Sequence, residues 1–121
     1  PTAYASMLKK SMGNIDWTMD ADRIERLVRG LNSWPGTFTK IHGKTVKIWD
    51  CDVVCQETLT ESQAAATPGT VIVSEKDQLI VKAGNGALSL RMLQPEGKKN
   101  MTVDAYLRGY PIAQGELFTQ V

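Results

Sequence analysis

Two adjacent lysines, Lys98 and Lys99, follow a proline and a glycine in the stretch Leu93-Gln94-Pro95-Glu96-Gly97-Lys98-Lys99-Asn100-Met101. Ammonium groups on a loop suit phosphate neutralisation, a task that needs charge and access rather than a buried nucleophile. Further cations stand at Lys40, Lys44 and Lys47, in the same segment as Phe38 and Trp49. On one face of a hairpin, such lysines could neutralise phosphate beside a stacked base or ribose. The same pattern also fits aromatics packed inward under snorkelling lysines. The residues alone leave both readings open.

Other chemistries lack their residues. The chain has one histidine, His42, and two cysteines, Cys51 and Cys55. With the histidine in a turn, no Ser–His–Asp or Cys–His arrangement can be assembled. On an extended strand, residues four apart are separated by about 13 Å, too far for a disulfide. Free thiols are expected, which fits a reducing cytoplasm. A zinc site lacks ligands. No Walker loop and no GxGxxG is present, and Gly84-Asn85-Gly86 reads as hairpin punctuation. The sequon Asn100-Met101-Thr102 reads as chance, because nothing else points to secretion. No catalytic residue and no metal ligand is expected in this segment.

Several elements must position the lysines. At 121 residues, with 42% hydrophobic and 22% charged, the chain is sized for one globular domain. No apolar run approaches the roughly 20 residues that span a bilayer, and no membrane partner is expected. The chain does not begin with methionine, which allows it to be a segment of a longer polypeptide. Net charge is +1 but unevenly spread. Residues 1–49 carry eight basic against four acidic side chains, residues 50–78 one against six, and residues 79–121 five against three. Folding could gather the basic ends onto one face.

Residues 1–14, with Lys9-Lys10, read as a linker or lead-in, and residues 15–121 as the domain. Ile15-Asp16-Trp17 is a small apolar anchor. Asp20 is placed to cap a helix from Ala21 to about Leu31, with Ile24, Leu27, Val28 and Leu31 as its apolar stripe. Trp34-Pro35-Gly36 turns the chain. Thr37–Ile41, the turn His42-Gly43 and the run from Lys44 to Trp49 form a hairpin. Its expected register pairs Ile41 with Lys44, Thr39 with Val46 and Thr37 with Ile48. Residues 50–68 read as a strand end and an irregular loop, with a helical turn possible at Ala64–Ala66. Thr70–Val73, Leu79–Ala83 and Ala87–Leu93 alternate or branch as strands do. Thr102 can cap a short helix, Val103 to Arg108, that Gly109 ends. Gly115–Val121 is a candidate last edge strand. The tally is six short strands and two helices, which suggests a small antiparallel barrel.

These residues resemble a family. Tyr4-Ala5 with Lys9, Ile15-Asp16-Trp17, the helix ending near Arg29, Trp34-Pro35-Gly36, the Gln94-to-Met101 block, Leu107-Arg108-Gly109-Tyr110 and Gly115-Glu116 look like the C-terminal domain of bacterial methionyl-tRNA formyltransferases. The sequence departs from the family pattern at Met7, where many members carry lysine, and at Ser33, where many carry proline. The resemblance implies a mainly β fold, an open six-stranded Greek-key barrel of the oligonucleotide-binding type with one N-terminal and one short C-terminal helix. It implies a tRNA-binding role, holding initiator methionyl-tRNA while a separate N-terminal domain transfers formyl from 10-formyltetrahydrofolate. The segment itself would hold no cofactor and would act as a monomer in the cytoplasm, in translation initiation. By position, Lys98 and Lys99 are the foremost tRNA contacts, with Arg108 near them and Lys9 and Lys10 in the linker. Lys40, Lys44 and Lys47 join them through the hairpin register rather than a motif. Two alternatives remain. One is the structural barrel of a related folate-dependent enzyme, such as 10-formyltetrahydrofolate hydrolase or a sugar-nucleotide formyltransferase. The other is a protein-interaction module.

Overall fold

The computed structural model describes residues 13–31 and 36–120. Lys9, Lys10, Met7, Tyr4-Ala5 and the residues from Asn32 to Pro35, Ser33 and Trp34 included, lie outside that range, as does Val121. Just inside it, Asn14 bridges Phe38 in parallel, and Ile15 and Trp17 are buried.

The apolar stripe folds as helix α1, Ala21–Leu31, with Asp22 in its first turn and Arg29 in its last, where each complements the helix dipole. Its buried face is Ala21, Ile24, Val28 and Leu31. Leu27 is left half-buried at the flank. The arginines of this helix are exposed, and Arg29 pairs with Glu25 at 2.7 Å.

Strands β1 (Thr37–Ile41) and β2 (Lys44–Val54) form the hairpin in the expected register. His42 and Gly43 at its tip have φ of +54° and +75°, as a two-residue turn matched to strand twist requires. Thr37, Thr39, Ile41, Val46 and Ile48 are buried. Strand β2 does not stop at Trp49. It continues to Val54, because β5 (Ala87–Pro95) pairs with it from Val46 to Val54, with register irregularities around Asp50. The irregularity interrupts the alternation, which is why the stretch from Asp50 reads only as a strand end before a loop.

Beyond β2 a 3₁₀ turn, Gln56–Thr58, leads to helix α2, Glu61–Ala64. This helix starts earlier than Ala64 because Thr60 and Gln63 form a reciprocal capping box. Strands β3 (Val71–Glu75) and β4 (Gln78–Lys82) follow. Gly84-Asn85-Gly86 closes β4 onto β5. Gly84 passes so near Thr18 that a Cβ there would lie 1.9 Å from its carbonyl oxygen. Strand β6, Met101–Thr102, pairs with β5 and runs into helix α3, Val103–Gly109. Thr102 takes the cap position without a side-chain bond to the helix backbone. Its side chain bonds Asp104 instead and holds that carboxyl below its usual value. Gly109 is the last helical residue, and Tyr110 caps the helix.

The sheet order is β1-β2-β5-β4-β3, all antiparallel, with β6 on β5. This corrects the barrel expectation. Among the described residues the fold is mainly β, with six strands and helices near each end, and the sheet is not closed on itself. The sixth strand is Met101–Thr102, and the C-terminal stretch is not a strand. It makes two isolated bridges instead, Leu117 with Thr70 and Thr119 with Lys40. The segment therefore touches both sheet edges, β1 by its end and β3 by its start. Phe118 is carried into the interior at 1% exposure, 5.8 Å from the Trp17 ring. Trp17 Nε1 donates to Thr39 Oγ1 at 2.9 Å, and Thr39 donates to the Thr119 carbonyl at 2.8 Å. Both buried threonines are thus satisfied, since Thr37 donates to the Ile48 carbonyl, as buried hydroxyls require.

Candidate nucleic-acid interface

The β2–β5 ladder brings the hairpin lysines to the basic loop. Lys47 lies opposite Gln94, and Val46 opposite Pro95. Pro95 ends β5, and Gly97 takes φ of +77°, so the chain turns away and presents Lys98 and Lys99 to solvent. Two grooves open here. One, of about 470 Å³, is lined by Phe38, Lys47 and Gln94. The other, of about 690 Å³, lies at the hairpin tip and is lined by His42, Lys44, Lys98, Tyr106 and Tyr110. Thr45, Pro95, Glu96 and Gly97 line both. Lys47 thus borders the first groove and Lys44 and Lys98 the second, and the one carboxylate lining either is that of Glu96.

The loop is tethered from below. Trp49 Nε1 donates to Gln94 Oε1 at 2.8 Å, and Gln94 Nε2 donates to the Lys98 carbonyl at 2.8 Å. Trp49 is half-buried and fixed by this bond. Phe38 is half-buried and lines the smaller groove. The two aromatics therefore face neither the core nor open solvent.

The remaining sequence candidates are more dispersed. Lys40 is on the same outer face, opposite Thr45, with its backbone bonded in both directions to Thr119. Lys99 is exposed, one residue beyond the groove. Arg108 is exposed on α3 and faces Asp104 at 3.6 Å. An exposed pair of that length contributes little to stability. Sequence reasoning did not single out Gln94, Tyr106 or Tyr110 for the site. The signal for the tyrosines was their i, i+4 spacing on a helix, and their rings stack with centroids 5.1 Å apart. Burial, with Tyr110 beside it, pushes the Tyr106 hydroxyl up to about 12, so it stays protonated at neutral pH.

The hairpin tip is fixed by a second contact. His42 Nε2 and a Glu116 carboxylate oxygen are hydrogen-bonded. The Ala113 N–H reaches the other oxygen at 2.6 Å. That amide first, and His42 second, hold the Glu116 carboxyl below its ordinary value.

Further along the β2–β5 ladder two carboxylates replace the lysines. Arg91 sits between Asp50 and Asp52, at 3.6 and 2.8 Å, and its hydrogen bond to Asp52 raises its already high pKa. Cys51 is buried and Cys55 exposed, and both are free thiols. Burial, reinforced by nearby carboxylates, pushes the Cys51 thiol up to about 12. Among the described residues no three His, Cys, Asp or Glu side chains cluster as metal ligands. No helix among them is long and apolar enough to cross a membrane.

Residues 7–111 match the model of a family described as formyl transferase, C-terminal domain. A methionyl-tRNA formyltransferase of Agathobacter rectalis is 40% identical over 116 residues, 96% of this chain and 36% of that protein. Another, of Caldanaerobacter subterraneus subsp. tengcongensis, is 43% identical over 114 residues, 94% of this chain and 35% of that protein. The chain thus spans little more than a third of the relatives it matches. Among solved structures, HypX from Aquifex aeolicus in complex with tetrahydrofolic acid shares the fold, with a TM-score of 0.65 at 17% identity. That likeness covers 92% of this chain and 21% of HypX.

Proposed function

The chain belongs to the formyl transferase C-terminal domain family, and on that premise we propose that it is the tRNA-holding domain of a methionyl-tRNA formyltransferase. In this reading it grips initiator methionyl-tRNA through phosphates. A separate N-terminal domain then transfers formyl from 10-formyltetrahydrofolate to the methionyl amino group, in the cytoplasm, at translation initiation. This segment supplies no catalytic residue and holds no cofactor, and it works as a monomer beside its catalytic domain.

One observation carries the reading. Lys44 and Lys98, from two distant parts of the chain, border one groove, and Lys47 borders a second groove that shares Thr45, Pro95, Glu96 and Gly97 with it. Lys98 and Lys99 are the main phosphate contacts, supported by Lys40, Lys44 and Lys47. Arg108 contributes once it leaves Asp104, and Lys9 and Lys10 contribute from the linker. Phosphate contacts of this kind position the RNA and do not read its sequence.

A second reading makes the domain a structural part of a related folate-dependent enzyme, 10-formyltetrahydrofolate hydrolase or a sugar-nucleotide formyltransferase. The fold shared with HypX favours it, because that fold extends beyond the methionyl-tRNA formyltransferases matched here. Titration of the purified chain with initiator tRNA, at low and at moderate salt and with an RNA duplex as competitor, separates the two. Salt-sensitive binding that prefers tRNA supports the first reading. No binding at low salt, by this chain and by the full-length protein alike, supports the second.

A further inference from the structure

We propose that the groove at the hairpin tip seats one unpaired nucleotide of the RNA, with its phosphate at Lys44 and Lys98 and its base against Tyr110. The inference rests on the RNA-holding reading above and goes beyond it in naming the unit that the groove takes. At about 690 Å³, the groove has the size of a small-molecule site. One wall is cationic: Lys44 and Lys98 stand against the single carboxylate of Glu96. His42, also on the rim, is bonded to Glu116, so the two lysines are the cations left for a phosphate.

The other wall is aromatic. Tyr106, buried at 2% exposure, stacks on half-buried Tyr110 with the ring planes 17° apart. Both rings line the groove, and Tyr110 is the more exposed of the two. A planar ring arriving there extends an existing near-parallel stack, and aromatic platforms of this kind hold bases of any sequence. A base inside a duplex has both faces covered, so only an unpaired one can take this place. A nucleotide joins an anion and a planar ring in one unit, which matches the two walls.

The test compares initiator tRNA with a fully paired RNA duplex across a salt titration. Tyr110→Leu is expected to lower tRNA affinity about fivefold or more. The log–log salt slope should stay unchanged, because stacking releases no counterions, and duplex affinity should also stay unchanged. Tyr110→Phe keeps the ring and should retain wild-type affinity. Lys44→Ala should instead reduce the magnitude of the slope by about one. Because Tyr110 packs on Tyr106, thermal unfolding of each variant is recorded alongside. The wild-type chain is also titrated with uridine 5′-monophosphate by NMR, where Tyr110 and Lys98 resonances should move together. Wild-type tRNA binding by Tyr110→Leu, or an equal loss on the duplex, overturns the nucleotide seat while leaving the RNA-holding reading intact. If neither the wild-type chain nor the full-length protein binds RNA, that reading fails, and the mononucleotide titration alone decides the groove: a joint shift supports the seat and its absence overturns it.

Discussion

Gln94 donates its side-chain amide to the backbone carbonyl of Lys98 at 2.8 Å, while its oxygen accepts the Trp49 indole N–H. A residue at the end of a sheet strand thus holds the loop that carries the basic pair, and a neighbouring strand holds that residue. Ordering a loop on binding costs about 1–2 kcal/mol per residue fixed. Fixing it beforehand removes that cost from the binding step.

Gln94→Leu severs both bonds and leaves every lysine in place. RNA affinity should fall about fivefold with the salt slope unchanged, since the number of phosphates neutralised in the complex stays the same. Trp49→Phe, which frees Gln94 but keeps it, should lose less. A change of slope in either variant would show that the tether alters the contacts themselves.

Lys98→Ala combined with Lys99→Ala should weaken tRNA binding and reduce the magnitude of the log–log salt slope by up to about two, near 0.9 for each phosphate contact on duplex. Both side chains are exposed on a loop, so Tm should be nearly unaffected. An unchanged slope and affinity would remove both residues from the interface.

Buried Thr39 carries two hydrogen bonds, from Trp17 and to Thr119. Thr39→Val preserves the shape, leaves the Trp17 N–H unpaired and the Thr119 carbonyl with the Lys40 N–H alone, and should cost about 1–3 kcal/mol. Urea unfolding would read this as a lower midpoint at unchanged m.

Glu116 titrates below its ordinary value of 4.5 because the Ala113 N–H and His42 favour its carboxylate. A depressed folded pKa means that the stabilisation is full above the unfolded pKa and is lost as pH falls through the lower folded one. Glu116→Gln should therefore have a lower Tm than wild type at pH 7, and the gap should narrow progressively below about pH 4.5. Thermal scans from pH 7 to pH 3 would follow it. A gap that does not change with pH would mean that the carboxylate's charge contributes nothing.

The two thiols should differ. Cys51 is buried and pushed up to about 12, whereas Cys55 is exposed. A thiol-specific disulfide reagent at pH 8 should therefore react quickly with one equivalent per chain and with the second only after unfolding. Two equally fast equivalents would contradict the packing of Cys51.

By itself the sequence determined what depends on neighbours in the chain. Alternation from Thr37 to Ile48 and a two-residue turn set the first hairpin down to its register. The spacing of Ile24, Val28 and Leu31 set α1, and Pro95 with Gly97 set the end of β5. Each is a matter of local stereochemistry and period. Three features lacked such a signal. Two-residue β6 is too short to show a period, the bulge at Asp50 interrupts one, and residues 115–119 make isolated bridges whose partners, Thr70 and Lys40, lie far along the chain. Only the tertiary structure decided the site. Lys44 and Lys98 were both legible as cations, but the groove they share exists because β2 lies against β5 and α3 supplies its far wall. A period of two states which face of a strand is buried and not which strand pairs with it. The tether from Trp49 through Gln94 to Lys98 and the stack of Tyr106 on Tyr110 arise from that pairing and packing, where burial and hydrogen bonding between distant segments select one arrangement.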